Sequence, residues 1–275
     1  MTNDDEGLSR SPMIRTLLIA SAALGLAACA ATTTAQNAPP VDESLSAPLH
    51  PPSTDLTGYL AAGDLNGAAL LGPPPEPGSL TGKADQARFD ETRALKDGPR
   101  WKQAIVDNDL WGGGALKQYA CKMGVSIDEK QTPAALRVLH RVELDVRTVG
   151  KPAKDAYNRP RPLIGNDAPI CVPREDWMKT NASYPSGHSM TGWAWALILA
   201  ELKPDRADGL LEVGKSVGES RAICGVHYTS DIEAGRVLAS AMVARLHGDP
   251  QFQRDMAKAR AEVARAKTAP SGCGA

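Results

Sequence analysis

Between residues 82 and 267 apolar positions recur at helical spacing, while the strict alternation expected of half-buried strands is scarce. The pattern predicts helices over about 82–96, 99–109, 112–123, 132–158, 186–202, 205–221, 229–247 and 249–267. Two have clear starts: Thr132-Pro133 and Asp249-Pro250 each place a capping residue before a proline at the first helical position. In the fourth segment Leu136, Leu139, His140 and Val142 to Leu144 then follow a nearly helical period. Met190 to Leu202, with Trp193 and Trp195, is apolar throughout; it is too short to span a bilayer and reads as a buried core helix. No internal repeat stands out. The fold class expected is all-α, a single-domain helical bundle.

The N-terminal region lacks this pattern. Met13-Ile-Arg, an apolar run from Thr16 to Ala28 and then Cys29 have the form of a secretory leader. Asp4, Asp5 and Glu6 fit such a leader poorly, so translation starting at Met13 suits it better. Two processing routes fit: lipidation of Cys29 after Leu26-Ala27-Ala28, as in a lipobox, or cleavage after Ala28-Cys29-Ala30. Residues 31–56, rich in Thr, Ala, Pro and Ser, read as a flexible tether. The folded domain is expected over 57–267, followed by a tail over 268–275.

Composition narrows the class. Of 275 residues, 42% are hydrophobic and 23% charged, ordinary for a globular chain, and aromatics at 4% favour close-packed helices over a β-sandwich. The formal net charge of -1 provides no field for nucleic acid, so anion recognition must come from a few gathered cations. Beyond Cys29 the cysteines are Cys121, Cys171, Cys224 and Cys273, an even number that allows three disulfide pairings in an oxidising compartment.

Three segments concentrate unusual chemistry. In Lys154-Asp-Ala-Tyr-Asn-Arg-Pro-Arg161-Pro162 two cations lie seven apart, nearly on one helix face, and the prolines should end the helix with Arg161 at a cleft. Tyr184-Pro185-Ser186-Gly187-His188 precedes an apolar helix, whose N-terminus is suited to an anion; Ser186 would cap it and Gly187 would admit a ligand to the backbone. In Ser220-Arg221 through His227 to Asp231, the imidazole and carboxylate are four apart, and a new helix is expected to be capped by Thr229 or Ser230. A carboxylate beside an imidazole fixes its tautomer and makes the other nitrogen a better nucleophile. The same pair could share a cation, but no third ligand at a sensible spacing is apparent. Together the segments supply what phosphoryl transfer without a metal needs.

Lys154, six residues, Arg161-Pro162; Pro185-Ser-Gly-His188; and Ser220-Arg221, five residues, His227, three residues, Asp231 resemble the three-part signature of the phosphatidic acid phosphatase type 2 superfamily, which includes vanadium haloperoxidases. The narrower resemblance, from about Tyr59 through Pro73-Pro74-Pro75 and Asp85 to Ala94 and on to about Leu246, is to the class A bacterial non-specific acid phosphatases. It implies an all-helical fold and hydrolysis of small-molecule phosphate monoesters through a phosphohistidine, with no metal or other cofactor and with vanadate as an inhibitor. His227 would be the nucleophile, Asp231 its orienting carboxylate and His188 the acid and then the base. Lys154, Arg161, Arg221, Ser186 and Gly187 would cradle the phosphoryl oxygens. An acidic pH optimum follows if His188 must stay protonated. Members often form homo-oligomers, and the leader puts the protein in the periplasm, tethered to the outer membrane if Cys29 carries a lipid. Cys171 and Cys224 lie in loops beside the motifs, which favours their pairing and leaves Cys121 with Cys273. A haloperoxidase, a non-catalytic phosphate-binding lipoprotein and a membrane lipid phosphatase are the competing readings. His50, His140 and His247 receive no catalytic role, and Asn181-Ala-Ser183 matches a glycosylation sequon by chance.

Overall fold

The computed structural model describes residues 56–267 and 270–273. The leader with Cys29, His50 and all of the expected tether except Leu56 lie outside the described residues. In chain order the helices are α1 (Gly67–Leu71), α2 (Leu80–Arg93), α3 (Pro99–Asn108), α4 (Ala115–Met123), α5 (Pro133–Tyr157), α6 (Trp177–Thr180), α7 (Gly187–Leu202), α8 (Ala207–Ile223), α9 (Thr229–Leu246) and α10 (Pro250–Arg265), with a 3₁₀ turn at Pro204–Arg206. No strand occurs among the described residues, so the fold is all-α as the periodicity requires. Every expected helix is present within a few residues of its bounds. The short α1 and α6 were not expected, because one or two turns carry too little periodicity to register.

α7 is the central helix because it is apolar on every side; Met190, Ala194, Trp195, Ile198 and Leu199 are fully buried. Small residues let α8 approach it closely. A Cβ on Gly214 would stand 2.5 Å from the Ala196 Cβ, and one on Gly192 would stand 2.8 Å from the Val217 side chain. Two polar groups drawn into this core are satisfied: Trp195 Nε1 donates to the Leu139 carbonyl at 3.1 Å and Tyr119 Oη to the Gly192 carbonyl at 2.6 Å. α5 and α10 close the other side, with Val138, Leu139 and Val142 meeting Phe252, Met256 and Val263 in one apolar cluster.

Helix starts follow two different devices. Asp249 and Ser186 cap α10 and α7 through their own side chains, accepting from the Phe252 N–H at 2.8 Å and the Ser189 N–H at 3.4 Å. Thr132 does not cap α5. Its hydroxyl is turned to the Ser126 carbonyl at 2.9 Å, and the Glu262 carboxylate of α10 takes the Ala134 N–H at 2.7 Å instead. α5 also runs straight through Pro152 and ends before Pro160: Asn158 takes a left-handed conformation (φ 38°) and its N–H bonds back to the Lys154 carbonyl.

Disulfides join Cys121 to Cys273 and Cys171 to Cys224. The first ties the chain beyond α10 to α4. The second staples the 163–176 loop to the end of α8, where the Cys171 N–H also reaches the Cys224 carbonyl at 3.1 Å.

Candidate active site

The site lies where the end of α5, the start of α7, the end of α8 and the start of α9 converge. Lys154, in the last turn of α5, is buried and donates from Nζ to the Ala182 carbonyl at 2.5 Å. Arg161 meets it from outside the helix. The helix-face argument for this pair fails, because α5 stops at Tyr157, and tertiary hydrogen bonds place Arg161 instead. Its Nε and Nη2 donate to the Asn181 backbone and side-chain oxygens at 2.9 and 2.8 Å, and Nη1 donates to the Val226 carbonyl at 3.0 Å.

Nη1 of Arg161 also lies 3.0 Å from Nε2 of His227. A guanidinium only donates, so Nε2 is the acceptor and the ring proton sits on Nδ1. Nδ1 faces Ser183 Oγ at 3.3 Å and Asp231 Oδ2 at 3.5 Å, and Ser183 donates to that same carboxylate oxygen at 2.5 Å. These three atoms form a triangle, with the Ser183 hydroxyl beside the imidazole–carboxylate pair and bonded to the same Oδ2. Asp231 Oδ2 also accepts the Tyr228 N–H at 2.8 Å, which makes Tyr228, and neither Thr229 nor Ser230, the N-cap of α9.

The second histidine is held from α3. His188 Nε2 lies 3.1 Å from the Asn108 carbonyl, while Arg221 Nη1 donates to the Asn108 side chain at 2.6 Å. Asn108 is brought there because Asp107 accepts from Ser220 of α8 at 2.5 Å and from Gln103 and Gln118 at 2.7 Å. Arg221 Nε is buried with no protein acceptor, an orphaned donor in the middle of a cation cluster. Ser186 is fully buried at the N-terminus of α7, its N–H donated to the Asp231 carbonyl at 3.0 Å. A Cβ on Gly187 would meet nothing within 4 Å, so that backbone faces open space. A small cleft of about 20 Å³, lined by Leu110, Glu143, Arg147, Lys154, Gly187 and His188 among others, opens beside these groups.

All eight residues singled out from the three motifs therefore converge, and their electrostatics are those of an anion site. Burial pushes the His227 imidazole well below its ordinary pKa, and Arg161, Lys154 and Arg221 push it further. His188 is likewise depressed, by burial first and then Arg221. Burial and the neighbouring Arg161 lower Lys154 to about 7, against the pull of Asp231. The Asp231 carboxylate beside His227 and Lys154 does not outweigh burial and the gathered cations. Among the described residues, no three His, Cys, Asp or Glu side chains gather as metal ligands.

The motifs did not single out Asn108, Ser183, Asp85 or Arg159. Arg159 and Ser183 sit inside or beside motif segments and could have been noticed as extra polar groups there. Asn108 and Asp85 carry no local signal, since their contacts with Arg221 and Ser230 cross 113 and 145 residues.

The PAP2 superfamily pattern matches residues 145–254, which span all three motif segments. An acid phosphatase of Zymomonas mobilis subsp. mobilis is 42% identical over 200 residues, 72% of this chain and 75% of that protein. Non-specific acid phosphatases of Providencia stuartii and Salmonella typhimurium are 38% and 35% identical, over 79% and 72% of this chain and 91% and 80% of their own lengths. The chain belongs to the PAP2 superfamily, within the class A bacterial non-specific acid phosphatases. It is accordingly a phosphoric monoester hydrolase.

Proposed function

We propose that the enzyme hydrolyses a broad range of small phosphate monoesters through a phosphohistidine at His227, with no metal ion. The observation that carries this reading is the fixed tautomer of His227. Its Nε2 lone pair is directed at Arg161, and its proton is directed at Ser183 and Asp231. A phosphoryl group accepting from Arg161, Lys154 and the orphaned Nε of Arg221 would bring phosphorus within reach of that lone pair. The Ser186 and Gly187 turn would take the remaining oxygen.

In the first step Nε2 attacks phosphorus, the phosphorus–oxygen ester bond breaks, and the leaving alkoxide takes a proton from His188. In the second, His188 removes a proton from water, the water oxygen attacks phosphorus, and the phosphorus–nitrogen bond breaks to release phosphate. The imidazolium formed at His227 would be stabilised by the Asp231 carboxylate, whose Oδ2 lies 3.5 Å from Nδ1 and is held by Ser183. Proton transfer of this kind contributes typically ~10²–10⁴-fold. The leaving alcohol would face outward from the cleft lined by Leu110, Glu143 and Arg147, which is too small to enclose it.

The leader and the two disulfides support a periplasmic location, with an outer-membrane anchor through Cys29. No described helix is long and apolar enough to cross a membrane. A homo-oligomer belongs to the same reading. The deciding experiment is hydrolysis of p-nitrophenyl phosphate in excess EDTA by the wild type and His227→Ala. Turnover that survives chelation, is blocked by vanadate and disappears in the variant supports the mechanism. Loss in EDTA, or a fully active variant, overturns it. Bromide oxidation with vanadate and peroxide would instead point to a haloperoxidase.

A further inference from the structure

Behind the His227 pair is a second, largely buried ion network. Arg159 is 10% exposed at its side chain and spans two carboxylates. Its Nη1 donates to Asp231 Oδ1 at 2.6 Å and its Nη2 to Asp85 Oδ2 at 2.9 Å. Asp85, on α2, also accepts the Ser230 N–H at 2.9 Å and the Ser230 hydroxyl, while Arg159 reaches that hydroxyl at 2.7 Å. The guanidinium lies over the Tyr228 ring, 4.3 Å from its centroid. Three elements are thereby locked around one planar fork: the segment after α5, α2, and the start of α9 with its cap.

The two oxygens of Asp231 consequently have separate partners. Oδ1 belongs to Arg159, whereas Oδ2 serves Ser183, the Tyr228 N–H and, across 3.5 Å, His227. A carboxylate held at Oδ1 cannot rotate about its Cβ–Cγ bond to present a different oxygen to the ring. Arg159 also draws off part of the negative charge that would otherwise act on the imidazole.

We propose that Arg159 is a positioning residue for the hydrolysis, anchored by Asp85, that fixes the Asp231 carboxylate and moderates its charge so that His227 stays an unprotonated nucleophile. This inference rests on the His227 mechanism proposed above. The charged and titratable groups facing His227 are Lys154, Arg161 and Arg221 on the cationic side, Asp231 on the anionic side and His188 from α7. Removing the cation behind Asp231 tips this balance towards negative charge and raises the His227 pKa. Removing Asp85 leaves Arg159 less compensated and tips it the other way.

The experiment is the pH dependence of kcat/KM for p-nitrophenyl phosphate in Arg159→Gln, Arg159→Lys and Asp85→Asn, with phosphoenzyme formation followed by rapid quench. Arg159→Gln is expected to lower kcat ~10–100-fold, with KM changed less than about threefold, and to move the acid limb up by about one unit. Arg159→Lys keeps the charge but loses the fork; it should return the limb towards its wild-type position while recovering kcat only in part. Asp85→Asn should move the limb down. Should Arg159→Gln not fold, Asp85→Asn carries the test through its lowered limb and Arg159→Lys through a reduced kcat at a nearly wild-type limb. Unmoved acid limbs in the folded variants, with phosphoenzyme forming at the wild-type rate, overturn the role of Arg159 alone. Absence of any phosphoenzyme in the wild type, with an active His227→Ala variant, overturns the underlying mechanism instead.

Discussion

Nη1 of Arg161 lies 3.0 Å from Nε2 of His227, close enough to place a guanidinium on the lone pair that the proposed mechanism directs at phosphorus. In the mechanism proposed above, Arg161 would exchange this contact for a phosphoryl oxygen. Its other anchors, the Asn181 oxygens and the Val226 carbonyl, keep the fork in place while that one bond is exchanged.

That exchange makes anion binding a proton-uptake reaction. His227 and His188 are depressed chiefly by burial and next by arginine neighbours, and Lys154 stands at about 7. A bound anion favours the charged form of each, so bound-state pKa values lie above free-state ones and affinity falls as pH rises through that window. Calorimetry of inorganic phosphate at pH 6.5 in buffers of different ionisation enthalpy should show net proton uptake. A binding enthalpy independent of buffer would refute the coupling.

His188→Ala should separate substrates by their leaving groups. Nitrophenolate departs without help, whereas the alkoxide of glycerol phosphate needs a proton. The variant is expected to lose about 10²–10⁴-fold on glycerol phosphate and markedly less on p-nitrophenyl phosphate. Equal losses on both would remove His188 from the role of acid.

Gly187→Ala tests the anion cradle without disturbing the fold. The added methyl meets no protein atom within 4 Å, so the melting temperature should be unchanged or slightly raised. The methyl would occupy the space assigned to a phosphoryl oxygen, and phosphate affinity should fall by at least tenfold. Wild-type phosphate binding in this variant would place the ligand elsewhere.

The two disulfides should differ in effect. Each closes a long loop, over separations of 53 and 152 residues, so breaking either is expected to cost about 4–5 kcal/mol in the chain-entropy limit. Cys171→Ser/Cys224→Ser should also lower kcat, because Cys224 follows Arg221 by one turn and precedes His227. Cys121→Ser/Cys273→Ser should leave kcat alone. Urea midpoints and initial rates of the two pairs provide the comparison.

Asp145 should make the fold more stable in acid. Burial raises its carboxyl to about 7; Oδ1 accepts the Leu60 N–H at 2.8 Å and Oδ2 has no partner. Its folded pKa exceeds its unfolded one, so this contribution is complete below about pH 4 and is lost as pH rises through 7. The shift corresponds to at most about 4 kcal/mol between those limits. Urea denaturation at pH 4.5 and 8 should show this dependence in the wild type and a flatter one in Asp145→Asn.

The helices were legible because helix formation and apolar periodicity are local: the run from Pro133 to Tyr157 carries its own 3.6-residue stripe, and Asp249-Pro250 announces α10. Capping was less legible. Thr132 has the right side chain for a cap, yet Glu262 performs the task from 128 residues away because α10 packs across the start of α5. The helical spacing of Lys154 and Arg161 suggested a shared face, but the left-handed turn at Asn158 intervenes and contacts with Asn181 and Val226 bring the pair together.

The sequence by itself determined the all-α class, the central apolar helix and the residue types of the three motifs, since each is written within a few turns of chain. Only the tertiary structure decided that Asn108 joins His188 to Arg221, that Ser183 flanks the His227–Asp231 pair, and that Arg159 bridges Asp231 to Asp85. Hydrogen bonds between buried polar groups depend on angles and distances of a few tenths of an ångström. Those are set by how α2, α3, α7, α8 and α9 pack, and residue spacing along the chain carries no record of them.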